Sequence, residues 1–426
     1  MRAALAGVLL ALAPVLASAA DFQTEVAAQL PLVRDAYTFL HQNPELGKQE
    51  FKAHDYLLGK LRGLGFTEFV ASTRVPTAVI AVLKTGRPGP VIALRSEMDA
   101  RPLEKGAVEP LTHNPRSAID GVMHNCGHDA HAAILLGTAA LAIKNIDRFS
   151  GTIVFLFQPA EEIKGGADDI VDEGILTRLG VQKIFAEHSA PGLPVGTIAM
   201  VPGATLAGSN YFTLTLSGRG SHAAAPYDGD DVLLSAMKIA QELSVWPARR
   251  IEIANRPMVL SITKFVGDSN ASNVLPSTVT MEGTIRAFED PAVGTNGAPP
   301  IAQELKALLD RLSKAYGLTY EWNLRAGSPP TLNDPKVFAE VSAPLALAFA
   351  GKIDTTPSKG MFSEDFAYYT KTIPALYMSL GIAKDGLGTG PVHTASFTIH
   401  PDAFRYGLSA MSLVGEIETT GQAAWH

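Results

Sequence analysis

The chain has 426 residues, 46% of them apolar, 18% charged and 7% aromatic, with a formal net charge of −7. This is the profile of an ordinary globular protein; it excludes disordered, collagen-like and coiled-coil classes, and the acidic balance without a Lys/Arg run argues against nucleic acid or an anionic membrane as partner. The single cysteine, Cys126, excludes an intramolecular disulfide, cysteine-rich zinc modules and Fe–S clusters.

At the N-terminus, Arg2 followed by the apolar run Ala3 to Leu16 and then Ala17-Ser18-Ala19-Ala20 reads as a secretory signal peptide, residues 1–20, cleaved after Ala19 or Ala20. The run is shorter than the roughly 20 residues a membrane-spanning helix needs, and no later segment is apolar for long enough. The expected location is the periplasm or the exterior.

The mature chain opens with helical periodicity over about Phe22 to Leu40, a turn at Pro44 to Gly47, and a second helix over Phe51 to Leu61. Short β-branched or aromatic runs bounded by Gly or Pro predict buried strands at Thr77 to Leu83, Val91 to Leu94, Thr152 to Phe157 and Lys183 to Ala186, with a helix over Ala130 to Ile143 between them. Strands alternating with helices predict an α/β sheet. Past Pro202 the pattern changes: strand Asn210 to Ser217, helix Asp231 to Val245, strands Met258 to Val266 and Thr278 to Ala287, helix Ile301 to Ala315, strand Leu318 to Leu324. That order, β-α-β-β-α-β, is ferredoxin-like. After Ser328-Pro329-Pro330 the α/β character resumes, with a helix near Pro335 to Phe349, a turn at Glu364-Asp365-Phe366, the strand Ala375 to Leu380 and a last helix near Pro401 to Ile417. The expected organisation is an α/β domain in two pieces, 21–206 and 328–426, with a small βαββαβ domain inserted at 207–327.

Three of the 11 histidines crowd the only cysteine in His124-Asn125-Cys126-Gly127-His128-Asp129-Ala130-His131. Thiolate and imidazole are strong ligands for borderline divalent metals, while a buried apolar Cys beside helix-capping histidines is the alternative. Gln158-Pro159-Ala160-Glu161-Glu162 follows a predicted strand, where α/β sheets build their sites. A Glu pair there can divide metal ligation and general-base work, or it can be an acidic helix N-terminus favoured by the macrodipole. His188 lies at another strand end and His393 in a Gly-rich loop; alone, each reads as structural as readily as ligating.

Together these segments resemble the M20 metallopeptidase family, in its amidohydrolase branch of hippurate, N-acyl-amino-acid and auxin-conjugate hydrolases. The resemblance runs through Leu40-His41, Pro44 to Gly47, Leu94 to Ala100, His124 to Asp129, Gln158 to Glu162, Gly220 to Ala224, Asn273 to Pro276, Gly283 to Arg286, Glu364 to Phe366 and His393. It implies a two-metal site with Cys126 bridging, Glu162 and His393 on one ion and His128 and His188 on the other; such mixed S/N/O ligation is compatible with Zn, Mn, Co or Ni and does not select among them. It further implies Glu161 as general base, His222 as oxyanion stabiliser contributed by a partner subunit, and Asn273 with Arg286 as the grip on a substrate carboxylate; a strand-surface ion pair is the alternative for Arg286. The inserted domain would serve as a dimerisation or lid domain in a homodimer or larger homo-oligomer. The sequence departs from the family's usual pattern at Glu97, where Asp is frequent and a structural role is expected, at Tyr227, where His is common, and at Asp231-Val232, where Asp-Pro is usual. His124 and His131 receive no ligand role, and His41, His54, His113, His400 and His426 read as structural or exposed. The function implied is hydrolysis of an N-acyl amino acid or similar small conjugate. A dipeptidase or carboxypeptidase on the same scaffold, or a periplasmic binding protein without catalysis, are the other readings.

Overall fold

The computed structural model describes residues 2–267, 269, 271–293 and 298–422, with the backbone alone for 2–20. The side chains of the expected leader and His426 therefore lie outside the described residues. The chain falls into two compact units: unit 1 is Met1–Gly203, Leu332–Pro357 and Tyr368–His426, and unit 2 is Ala204–Thr331 with Ser358–Ala367.

Helix α1, Arg2–Gln42, spans the expected leader and the predicted first helix as one element, although Pro14 and Pro31 lie within it. After α2, Phe51–Gly63, come the strands β1 (Glu68–Val70), β2 (Val79–Lys84) and β3 (Val91–Glu97). Two short strands, β4 (Arg101–Pro102) and β5 (Val122–Met123), pair antiparallel ahead of α3 (His128–Lys144). Next are β6 (Thr152–Gln158), β7 (Lys183–Pro194) and β8 (Ile198–Ala199).

Unit 2 contains β9 (Gly208–Ser217), β10 (Ser221–His222), α4 (Val232–Arg250), β11 (Met258–Val266), β12 (Val274–Leu275), β13 (Thr278–Ala287), α5 (Ile301–Tyr316) and β14 (Thr319–Ala326). Its main sheet is antiparallel in the order β11-β13-β9-β14, the ferredoxin-like arrangement expected from the pattern. Alternate residues Phe212, Leu214 and Leu216 of β9, with Val279, Met281 and Ile285 of β13, turn inward against Val232, Ile239 and Leu243 of α4 and Leu305 and Leu309 of α5.

Unit 1 then closes with α6 (Pro335–Ala348), β15 (Ile353–Asp354), β16 (Ala375–Ala383) and α7 (Ala403–Thr420). Its mixed sheet has the order β1-β2-β6-β3-β7-β16-β8-β15; β3 runs parallel to β6 and β7, and β16 parallel to β7. The near-continuous apolar runs of β2, β3 and β6 follow from burial on both faces. Helix α3 is buried on all sides for most of its length, packed among α1, α7 and β3.

One boundary differs from the expectation. Ser358–Ala367, read as part of the α/β domain, belongs to unit 2, because Leu206 bridges Gly360 and Arg286 Nη1 donates to Ser363 Oγ at 3.0 Å. Strand β7 also runs past Ala186 to Pro194, through a Pro-Gly pair that reads as a breaker in sequence.

Candidate metal centre

The ends of the parallel strands carry the chemistry, as open α/β sheets generally arrange it. Strand β3 ends at Glu97 and leads to Asp99; β6 ends at Gln158 and leads to Glu161-Glu162; β7 presents His188 in register with Ser379. Helix α3 starts at His128, directly after Cys126 and Gly127. Gly127 has φ 97°, and a Cβ there would meet Ser189 Oγ at 2.4 Å, so only glycine lets Cys126 and His128 approach β7 this closely. Two non-glycine residues in the neighbouring loops also hold left-handed backbone. Ala160, φ 58°, is pinned by its amide donating to the buried Glu50 Oε1 at 2.8 Å; His393, φ 66°, donates its amide to Asn125 O at 2.7 Å. Such conformations cost on the order of 1 to 3 kcal/mol and persist where surrounding bonds fix them.

These turns gather two ligand groups that share one atom. Cys126 Sγ and a ring nitrogen of each of His128 and His188 lie within 4.8 Å of one another, and so do Cys126 Sγ, a Glu162 carboxylate oxygen and a His393 ring nitrogen. Cys126 Sγ is 3.4 Å from His188 Nε2, and His393 Nε2 is 3.2 Å from Glu162 Oε1. A carboxylate oxygen of Glu161 lies within the same reach of Glu162 and His128.

The far side of each imidazole fixes its tautomer. His128 Nδ1 donates to Asp99 O at 2.9 Å and faces Asp99 Oδ1 at 3.1 Å; His188 Nδ1 donates to Ser189 O at 2.9 Å. Both therefore turn Nε2 with its lone pair inward, and His128 Nε2 is buried with no hydrogen-bond partner. A sealed, unpaired acceptor beside a thiol, a second imidazole and a carboxylate fits a divalent cation. Asp99 also accepts the Glu162 amide on Oδ2 at 3.0 Å, so one carboxylate orients a member of each ligand group. Burial lowers the His188 pKa to about 3, keeping the ring neutral as a ligand must be, and pushes the Cys126 thiol up until a cation offsets the cost of its thiolate. Burial opposes ionisation of Glu162 too, but His393 and Arg101 outweigh it and hold this carboxyl at about 2.

His131 stands within ligand reach of Glu97 and His128, yet both its nitrogens are engaged: Nδ1 donates to Glu97 Oε2 at 2.8 Å and Nε2 accepts the Ser189 amide at 2.8 Å. It props the backbone next to His188. Glu97 in turn pairs with the buried Arg95, whose Nε donates to Gln158 Oε1 at 2.9 Å. Two contributors have partners that the sequence did not reveal. His41, buried, spans Asp129 Oδ2 at 2.6 Å and Glu109 Oε1 at 3.0 Å; Arg101 Nη1 donates to Glu162 Oε2. Each partner lies at least 61 residues away along the chain, beyond any local pattern.

Unit 2 holds the other three candidates. The β10–β12 ladder pairs His222 with Val274, and the Ala223 amide donates to Asn273 O at 2.8 Å, which sets His222 beside Asn273. His222 Nδ1 accepts the Ala224 amide at 3.1 Å, leaving Nε2 as the proton-bearing nitrogen of an exposed ring. Arg286 projects from β13, bonded to Ser363.

A thiol, imidazoles and carboxylates converging at the strand ends of an α/β sheet define a metal-binding hydrolase centre. The chain belongs to the peptidase family M20/M25/M40, whose model matches residues 93–414. That membership places it among hydrolases of peptide and amide bonds and not among non-catalytic binding proteins. It is 33% identical to N-acetyl-L-cysteine deacetylase of Bacillus subtilis, over 85% of this chain and 82% of that one, and 32% identical to thermostable carboxypeptidase 2 of Saccharolobus solfataricus, over 88% and 92%. Among solved structures it resembles a dinuclear metal-binding peptidase of the M20 family from Bacillus subtilis, with a TM-score of 0.77, 28% identity, and coverage of 92% of this chain and 98% of that one.

Proposed function

We propose that the protein is an exported amidohydrolase that uses two divalent ions to cleave the amide of an N-acyl amino acid or similar small conjugate, releasing a carboxylate and a free amino acid. The observation that carries this reading is the shared thiol: Cys126 belongs to one ligand group with His128 and His188 and to another with Glu162 and His393. When bound, a pair of ions supplies Lewis-acid polarisation of the scissile carbonyl and acidifies water. Glu161 takes the proton of the attacking water and returns it to the departing amine. His222 Nε2–H stabilises the oxyanion, and Arg286, with Asn273, binds the free carboxylate of the amino-acid half by the planar match of guanidinium to carboxylate. Likeness to a deacetylase of an N-acetylated amino acid favours the acyl over the peptidyl substrate, while likeness to a carboxypeptidase keeps peptides in the test set. Two further proposals attach to this reading. The leader directs export, checked by the N-terminal sequence of the mature protein, and unit 2 mediates self-association, checked by sedimentation.

The test is Glu161→Gln, assayed on N-acetyl, N-benzoyl and dipeptide substrates with metal content measured in parallel. Wild type should bind two ions and hydrolyse N-acyl substrates. The variant should keep its metal and lose roughly 100-fold or more in kcat, the scale of a missing general base. Near wild-type turnover at unchanged metal content would remove Glu161 from the role. A requirement for a free α-amine across the substrate set would turn the assignment to a dipeptidase.

A further inference from the structure

Arg101 Nη1 donates to Glu162 Oε2, the oxygen other than the one that faces His393 Nε2. The guanidinium and the ligand side thus divide the carboxylate between them. Glu162 is nearly sealed from solvent, its side chain 8% exposed, while that of Arg101 is 31% exposed. A surface ion pair would be free to rearrange, but this arginine is tethered. Its backbone pairs with Met123 in the β4–β5 ladder, three residues before Cys126, and the preceding Ala100 donates its amide to Glu45 O at 2.8 Å and bridges Leu46. Two residues upstream, Asp99 Oδ2 accepts the Glu162 amide. The segment 99–101 therefore grips Glu162 at both ends, by its backbone through Asp99 and by its carboxylate through Arg101.

We infer that Arg101 is a positioning residue for metal binding: by holding Glu162 Oε2 it restricts Glu162 to one donor oxygen, aimed at the ion shared with His393 and Cys126. This rests on the two-ion reading above. A charge-assisted bond to one oxygen fixes the orientation of the other and keeps the carboxylate from chelating through both, which leaves a coordination position for substrate. The cation sits at the carboxylate oxygen away from His393, so the charge of Glu162 stands between it and the ion. Outer partners of this kind contribute roughly 10- to 100-fold to metal affinity. Because Arg101 touches Glu162 and none of the His128 and His188 pair, its effect falls on one ion of the two.

The experiment titrates Zn²⁺ alone into chelator-stripped wild-type, Arg101→Leu and Arg101→Lys proteins in competition with a colorimetric chelator. Wild type should bind in two steps. Arg101→Leu should weaken one step by roughly 10- to 100-fold and leave the other unchanged; Arg101→Lys, which restores charge and one donor, should recover part of the loss. Two unchanged steps in Arg101→Leu would overturn the inference, as would a step that tightens, since Arg101 would then compete with the ion. Equal weakening of both steps without recovery by Lys would mark general damage and overturn it as well. A wild-type protein that binds no Zn²⁺ would bring down the two-ion reading itself, and this inference with it.

Discussion

At the scale of single residues, the centre rests on buried charges whose partners decide their protonation. His41 is the clearest case. Burial alone would push its imidazole pKa down, but Asp129 and Glu109, bonded to its two nitrogens, outweigh that and hold it at about 9 against 6.5 for a free ring. A folded-state pKa above the unfolded one adds stability that is fully present below pH 6.5 and is lost as pH rises through 9. The shift corresponds to roughly 3 kcal/mol. Urea denaturation of wild type and His41→Gln should therefore give a stability gap that is widest near pH 6 and narrows by about this amount at pH 10. A gap constant across that range would show that His41 acts by packing, for instance against Tyr37, whose ring centroid lies 5.6 Å away. Its sequence context, Leu40-His41 before a turn, marked the residue as structural and gave no hint of partners far along the chain. By contrast Cys126, His128, Glu161 and Glu162 were legible because each lies in a dense cluster of ligating types next to a predicted strand or helix start.

At the scale of elements, periodic segments announced themselves and two-residue segments did not. Met258–Val266 and Thr278–Ala287 begin and end where alternation of apolar residues says they should. The ladders β4–β5 and β10–β12 are too short for any periodicity, yet they set Arg101 near the Cys126 segment and His222 beside Asn273. The turn into α3 shows how one such local feature acts on the site. Gly127 is left-handed and a Cβ on it would meet Ser189 Oγ at 2.4 Å, so Gly127→Ala forces both a left-handed alanine and a displacement of the Ser189 side chain. The backbone cost is on the order of 2 kcal/mol. Since Ser189 O accepts from His188 and the turn carries Cys126 and His128, the variant should lose metal content along with thermal stability. Metal analysis beside a melting curve checks this; a lower Tm with full metal content would mean that the turn sets stability without setting the ligands.

At the scale of the molecule, the five candidate ligands and the general base all lie in unit 1, while His222, Asn273 and Arg286 lie in unit 2. Each unit has its own core, one around α3 and the sheet of unit 1, the other between β9, β13 and the helices α4 and α5. The insertion was legible because the pattern changes character at Pro202 and again at Pro329-Pro330; the return of Ser358–Ala367 to unit 2 was not, since it depends on contacts distant in the chain, among them the Leu206–Gly360 bridge, the Arg286–Ser363 bond and Lys359 over the Phe288 ring. Metal bound only to the folded form stabilises by mass action, and here it would bind unit 1 alone. Among the described residues both tryptophans, Trp246 and Trp322, belong to unit 2, and Trp425 lies outside them. In a Trp425→Phe background, tryptophan fluorescence thus follows unit 2 while calorimetry follows both units. Stripping metal with a chelator should lower a calorimetric transition and leave the fluorescence midpoint in place. If the two probes shift together, the units unfold as one cooperative block, and ligand occupancy in unit 1 then governs the stability of the unit that carries His222 and Arg286.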